Sequence, residues 1–146
     1  GLTYVAMHKR GTPQTMQQMT QYDDVVDEVK SYFEFFAEKA ASCGVNDWIL
    51  DPGIGFAKTI EQNYEILRRL AEFKELETSA GFCPQVLVGV SRKSLIYKYF
   101  NISPEDSLPA TQVLHMAALQ NGADILRVHD VSEASRTLSL YRMLAK

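Results

Sequence analysis

Hydrophobic positions along the chain follow two patterns that take turns. Short apolar runs stand at residues 2–7, 48–50, 86–90 and 125–128. Each is followed by a longer stretch whose apolar residues recur every three or four positions, the spacing that puts them on one face of a helix. After the first run and a turn at Gly11-Thr12-Pro13, a stripe begins at Tyr22 and continues through Val25, Val26, Val29, Phe33, Phe36, Ala37 and Ala40. Gly44 then stands where a helix C-cap belongs. The second run is stopped by Asp51-Pro52-Gly53. Thr59, with Gln62 three places on, resembles a capping box opening a helix whose inner face includes Tyr64, Leu67, Leu70 and Ala71. The third run is continuously apolar, as parallel strands covered on both faces are. Helical stretches lie on both sides of Ser103-Pro104, which reads as an N-cap and N1 pair. Asn121-Gly122 ends that unit, and after the fourth run Ser132 is expected to cap a last helix reaching Leu144.

Strand followed by helix, four times over, predicts an α/β fold with a parallel sheet. A doubly wound sheet and a (βα)₈ barrel both satisfy the pattern, but no G-x-G-x-x-G follows any strand, which weakens the dinucleotide-binding version. A full barrel takes about 250 residues, so four units are half of one. With strand residues at Leu2 and no cap before them, residues 1–146 read as a partial barrel domain whose N-terminal half is missing.

Composition changes this picture little. Of 146 residues 46% are apolar, enough for one domain burying roughly two-thirds of its unfolded surface. Fifteen Lys and Arg against eighteen Asp and Glu give a net charge of −3, so no general attraction for nucleic acid or anionic membranes is expected. No apolar run approaches the ~20 residues that span a bilayer. Cys43 and Cys83 stand far from each other and from any His at ligand spacing, which predicts free, half-buried thiols in a cytoplasmic protein.

The chemistry changes it more, because every strand ends in polar residues, and in parallel α/β folds those ends share one edge. His8, Lys9 and Arg10 follow the first strand. Asp51, Gly53, Gly55, Phe56 and Lys58 follow the second; Ser91, Arg92, Lys93 and Ser94 the third; Arg127, His129 and Asp130 the fourth. In a slightly acidic chain this edge is cationic, which suits an anion. Ser91-Arg92-Lys93-Ser94 lies where a strand hands over to a helix, where free N–H groups favour phosphate or carboxylate; a solvated basic turn explains it equally well. Arg127 and His129 alternate along a strand and would face one side. An anion partner is the expected reason for Arg127, ahead of a structural ion pair with Asp130 or Asp51. Asp51 is suited to read the amino-amide edge of a heterocycle through paired hydrogen bonds, or to cap the next turn. Phe56 reads as either a stacking platform or a core plug.

Four segments, Met7-His8-Lys9-Arg10-Gly11-Thr12-Pro13, Asp51-Pro52-Gly53-Ile54-Gly55-Phe56, Gly89-Val90-Ser91-Arg92-Lys93-Ser94 and Leu126-Arg127-Val128-His129-Asp130, resemble dihydropteroate synthase in kind and order. The resemblance implies strands five to eight of that family's (βα)₈ barrel. It implies the condensation of 6-hydroxymethyl-7,8-dihydropterin pyrophosphate with p-aminobenzoate to 7,8-dihydropteroate and pyrophosphate, a step of folate synthesis and a sulfonamide target, with Mg²⁺ in attendance. Carried over, it makes Asp51 and Lys93 pterin contacts and sets Arg127 and His129 on the pyrophosphate, Arg127 also against the ring. Met7 and Phe56 line the pocket, with Gly89 and Ser91 at its wall. Ser94 and the helix behind it receive the p-aminobenzoate carboxylate, with Arg92 alongside. Lys93, Arg127 and His129 are the expected catalytic groups, and no protein metal ligand is implied. A homodimer is expected, and four units alone are expected to be inactive. Ala57 and Ala110 stand where the family commonly has Gly. Two rivals share parts of this pattern. A pterin-binding barrel that moves a methyl group to a corrinoid has no pyrophosphate to hold; a non-catalytic half-barrel would act as an assembly module.

Overall fold

A computed structural model describes residues 2–76, 78 and 81–145 of the chain. Its sheet is formed by β1 (Tyr4–Met7), β2 (Trp48–Asp51), β3 (Gln85–Val88) and β4 (Ile125–Leu126), all parallel and in the order β1-β2-β3-β4. The helices are α1 (Val25–Ser42), α2 (Ile60–Arg68), α3 (Ser94–Phe100), α4 (Leu108–Gln120) and α5 (Val131–Leu144). Strand order that follows chain order has no reversal, and a doubly wound sheet requires one. The helices pack as a row, α1 on α2, α2 on α3 and α4, and α4 on α5.

Strand alternation explains which face they cover. Tyr4, Ala6, Trp48, Leu50, Val86 and Val88 point toward the helices. Trp48 stacks on Phe33 with centroids 6.0 Å apart, and Tyr4 on Phe36 at 5.8 Å. Trp48, Leu50, Val86 and Val88 share one buried cluster with Val26, Phe33, Ile66 and Leu95. Full burial of a side chain such as Phe33 contributes roughly 1.5–3 kcal/mol. Val5, on the opposite face, is 42% exposed. A parallel four-stranded sheet with helices on one side is the arrangement of barrel segments.

Side-chain caps set where α1 and α2 begin. Asp24 caps α1, accepting from the Val26 and Asp27 N–H groups, and Thr59 with Gln62 forms the capping box. Four expectations change. The α2 stripe stops at Arg68, and Leu70 and Ala71 lie in a 3-10 segment, Leu70–Glu75, that still buries Leu70 and Phe73. Ser103 accepts from Asp106 N–H and so caps the 3-10 turn Glu105–Ser107, while α4 starts at Leu108 with Pro109 in its first turn. Ser132 lies inside α5, whose N-cap position is Asp130 without a capping hydrogen bond, because Arg92 occupies that carboxylate. Cys43 and Cys83 are both free but exposed. Among the described residues no helix is long and apolar enough to cross a membrane.

Candidate active site at the C-terminal edge of the sheet

Register brings the four polar segments to one edge: Met7 lies opposite Asp51, and Val88 opposite Leu126, so the residues after them emerge together. His8 continues the β1 ladder by donating its N–H to Asp51 O at 3.0 Å.

Asp51 is the most constrained member. It is fully buried; its Oδ1 accepts from Gly53 N–H at 2.9 Å, the turn-capping role. Its Oδ2 lies 3.0 Å from Arg127 Nη1, yet the contact lacks hydrogen-bond geometry and Oδ2 has no hydrogen-bonding partner. A buried carboxylate oxygen in that state costs free energy until a donor reaches it. The ion pair of Arg127 with Asp51 is the second of the two readings of this Arg, and here it replaces the external anion placed ahead of it. The Arg127 side chain remains 47% exposed above the carboxylate. Gly89 makes that position possible, since a Cβ there would come within 3.0 Å of the guanidinium.

The loop after β2 is gripped from two sides. Lys93 Nζ donates to Ile54 O and lies 4.9 Å from the Phe56 ring centroid, a cation–π contact. Burial pushes the Lys93 ammonium down to about 8, with Asp51 opposing the fall and Arg127 adding to it. On the other side, buried Lys58 Nζ reaches His8 Nδ1 at 3.0 Å and donates to Gly53 O and Phe56 O, both at 3.1 Å. Burial, with Lys58 and Arg10 adding to it, takes His8 down to about 3, so its ring is neutral. Phe56 is half-buried, with its face presented to Lys93 rather than inserted in the core.

The remaining residues divide. Met7 is half-buried at the β1 end. Ser91 is buried, and its Oγ lies 3.0 Å from His129 Nδ1 and also accepts His129 N–H at 3.3 Å, tying the β3 and β4 ends together. β4 ends at Leu126, and Arg127 N–H still donates to Val88 O at 2.9 Å; the two side chains then part, Arg127 crossing to Asp51 while exposed His129 turns to Ser91. Arg92 forms a two-armed pair with Asp130 at the start of α5. That pair raises Arg92 above its usual value and lowers Asp130. Ser94, half-buried, opens α3 beside it. Arg10 departs from the edge, donating to Gln21 O, pairing with Glu28 and lying 3.8 Å from the Tyr22 ring centroid. Asn63 carried no signal in sequence. It is buried, and its Oδ1 accepts Gly55 N–H at 2.7 Å, fixing the same loop from α2.

An acceptor for a heterocycle's N–H groups, an aromatic face, and Lys93, Arg127 and His129 gathered at the ends of parallel strands suit a planar heterocycle carrying an anionic group. Residues 1–129 match the family of pterin binding enzymes. The chain is 41% identical to the dihydropteroate synthase of Escherichia coli K12 over 135 residues, 91% of this chain and 46% of that protein. It is 46% identical to that of Synechocystis over 130 residues, 87% and 43% of the two chains. It superposes on the Yersinia pestis dihydropteroate synthase, solved with a sulfonamide drug complex, with TM-score 0.91 and 32% identity, covering 99% of this chain and 51% of that one. The Thermus thermophilus enzyme gives 0.90 and 37%, covering 100% and 57%. The chain belongs to the pterin-binding enzymes, and within them its sequence is of the dihydropteroate synthase type. It spans about half the length of the relatives it matches.

Proposed function

We propose that the chain supplies strands five to eight of a dihydropteroate synthase barrel, residues 1–146 forming one partial domain. In that reading it carries the pterin and p-aminobenzoate sites of the folate-pathway transferase in the cytoplasm. The observation that carries this is the buried Oδ2 of Asp51, ion-paired with Arg127 but without a hydrogen bond, beside Lys93 and Phe56. Relatives support it: the Thermus enzyme has been solved in complex with 6HMPPP and with 4-aminobenzoate.

Asp51 accepts from the amino-pyrimidine edge of the pterin, and Lys93 donates to the ring carbonyl and nitrogen. Phe56 and Met7 line the ring, with Gly89 and Ser91 closing the wall. Arg127 must first swing off Asp51; it then lies against the ring and, with His129, faces the pyrophosphate. Ser94 at the start of α3 receives the p-aminobenzoate carboxylate, with Arg92 alongside. The pterin C–O bond breaks with its electron pair leaving on pyrophosphate, and Arg127, His129 and Lys93 offset that charge. The arylamine lone pair closes on the resulting carbocation and the nitrogen then releases a proton to water. Lys93, Arg127 and His129 are the catalytic groups.

Magnesium is implied by the resemblance, but this edge presents donors of positive charge. Among the described residues no three His, Cys, Asp or Glu side chains gather as a metal cluster, and Asp51 is already engaged by Gly53 and Arg127. The residues here do not fit a resident metal site, and no step is drawn through the ion. A homodimer is also proposed, supported by Val113, Val131, Leu140, Met143 and Leu144 exposed on α4 and α5; sedimentation of the chain tests it.

Calorimetric titration of an unreactive pterin pyrophosphate analogue into the chain and into Asp51→Asn tests the site. Binding that weakens at least about tenfold in the variant is expected; equal binding by both would overturn the assignment. Four units hold half of the pocket wall, so turnover is expected only when a complementary half is supplied, and turnover by the chain alone refutes that part.

A further inference from the structure

Lys58 is the one buried lysine of the edge that no step above uses. Three of its surroundings are acceptors, His8 Nδ1, Gly53 O and Phe56 O, all within 3.1 Å, and an ammonium group has three protons to give. The three acceptors belong to different parts of the site. His8 follows β1, Gly53 begins the turn after β2, and Phe56 ends it. Gly53 O also accepts from Phe56 N–H at 3.1 Å, so the lysine closes over an existing turn. On its other side the Gly53 peptide is tied to the reading carboxylate, because Gly53 N–H donates to Asp51 Oδ1. A hydrogen-bonded path therefore runs from Lys58 through Gly53 to Asp51, and a second reaches the residue that bears the stacking ring.

We propose that Lys58 is a positioning residue of this site: its Nζ staples the turn after β2 to His8 and so fixes where Asp51 and Phe56 meet the ligand. The proposal rests on the reading of this edge as a pterin site. It assigns Lys58 no contact with substrate. Preorganisation of this kind acts on affinity, because a loop already held in its bound shape loses less freedom on binding. It acts through Asp51, which makes it separable from a general packing role.

The test is a double-mutant cycle on ligand affinity. Lys58→Met, Asp51→Asn and the pair are titrated with the pterin pyrophosphate analogue, in the chain or with its complementing half if binding requires it. Far-UV circular dichroism establishes that each variant is folded at the titration temperature. Lys58→Met is expected to weaken binding about tenfold in the wild-type background but less than about twofold beside Asp51→Asn. Equal losses in both backgrounds, or a loss below about twofold in the first, would overturn it. If Lys58→Met does not fold, Lys58→Leu, which likewise has no donor, replaces it under the same criteria. No binding by the wild type sinks the pterin reading and this role with it. Nitrogen-15 spectra of His8 then tell the failures apart: a ring protonated on Nε2 that loses this preference in Lys58→Met shows the staple intact without the ligand.

Discussion

The turn after β2 and the segment after β4 bring opposite charges to the same edge, and they are built in opposite ways. In the first, backbone groups do most of the holding: Gly53, Ile54, Gly55 and Phe56 each give a peptide group to Lys58, Lys93, Asn63 or Asp51. In the second, exposed side chains reach across to other strands, Arg127 to Asp51 and His129 to Ser91. The difference separates two tasks. Reading a flat heterocycle needs an acceptor fixed to a fraction of an ångström, whereas holding a flexible anion needs charges that can follow it.

A methyl group set against each region breaks this comparison most sharply: on Gly53 within the turn, and on Gly89, which follows β3 and faces the Arg127 side chain. A Cβ on Gly53 would lie 1.9 Å from His8 O, with φ at +71°, and neither backbone can yield. Gly53→Ala is expected to remove about 3 kcal/mol or more of stability, seen as a loss of more than about 10 °C in unfolding temperature. A Cβ on Gly89 meets only the end of the Arg127 side chain at 3.0 Å, so Gly89→Ala should change stability by less than about 1 kcal/mol. Equal losses from the two would show that the Arg127 side chain is held as rigidly as the turn.

The next effect is on pH dependence. His8 is lowered from 6.5 to about 3, Lys58 from 10.5 to about 7 and Lys93 from 10.5 to about 8, with burial the first cause of each. For all three the folded state binds fewer protons than the unfolded state between the two values. Stability therefore rises with pH across those windows, and it falls as pH drops from 6.5 toward 3 through His8. The acid loss from His8 is on the order of a few kcal/mol. Urea midpoints measured between about pH 4 and 6.5 should fall less steeply in His8→Gln than in the wild type. Identical slopes would place the acid loss elsewhere.

The strand-helix order and the gathering of polar residues at one sheet edge were legible in sequence because they depend on local signals. Apolar periodicity, the Thr59–Gln62 box and the polar residues after each strand need only neighbours along the chain. What escaped depends on pairs far apart. The Arg127 pair with Asp51 was placed second to an external anion, because the sequence does not show that the two side chains meet across β3. Ser132 was expected as the N-cap of the last helix, and the position falls to Asp130, whose carboxylate is taken by Arg92 far back in the chain. The roles of Lys58 and Asn63 were invisible for the same reason: a lysine and an asparagine after a glycine-rich turn carry no mark of burial.

A smaller effect concerns the anion side alone. Arg127→Ala should weaken the pyrophosphorylated analogue by about ten- to a hundredfold while plain 6-hydroxymethylpterin stays within about threefold. Arg127 must give up its pairing with Asp51 to lie against the ring, and these two terms offset each other, so the heterocycle alone gains little while the pyrophosphate gains a charge. Comparable losses for both ligands in paired titrations would place Arg127 with the rigid half of the site.

The smallest effect tests the turn from within. Ala57 is fully buried with φ at +51°, a conformation that strains an L residue by roughly 1–2 kcal/mol. Ala57→Gly relieves that strain, but it removes a buried methyl group worth about 0.8 kcal/mol and adds freedom to the unfolded chain worth about 0.4–1 kcal/mol. These oppose each other almost evenly, so the unfolding temperature should move by no more than about 3 °C. Affinity carries the sharper information. If Lys58, Lys93 and Asn63 already fix the turn, as their contacts with its backbone indicate, the glycine has little motion to release, and pterin binding should change by less than about twofold. A larger loss would mean that the alanine, and not the two lysines and the asparagine, holds the turn in its binding shape.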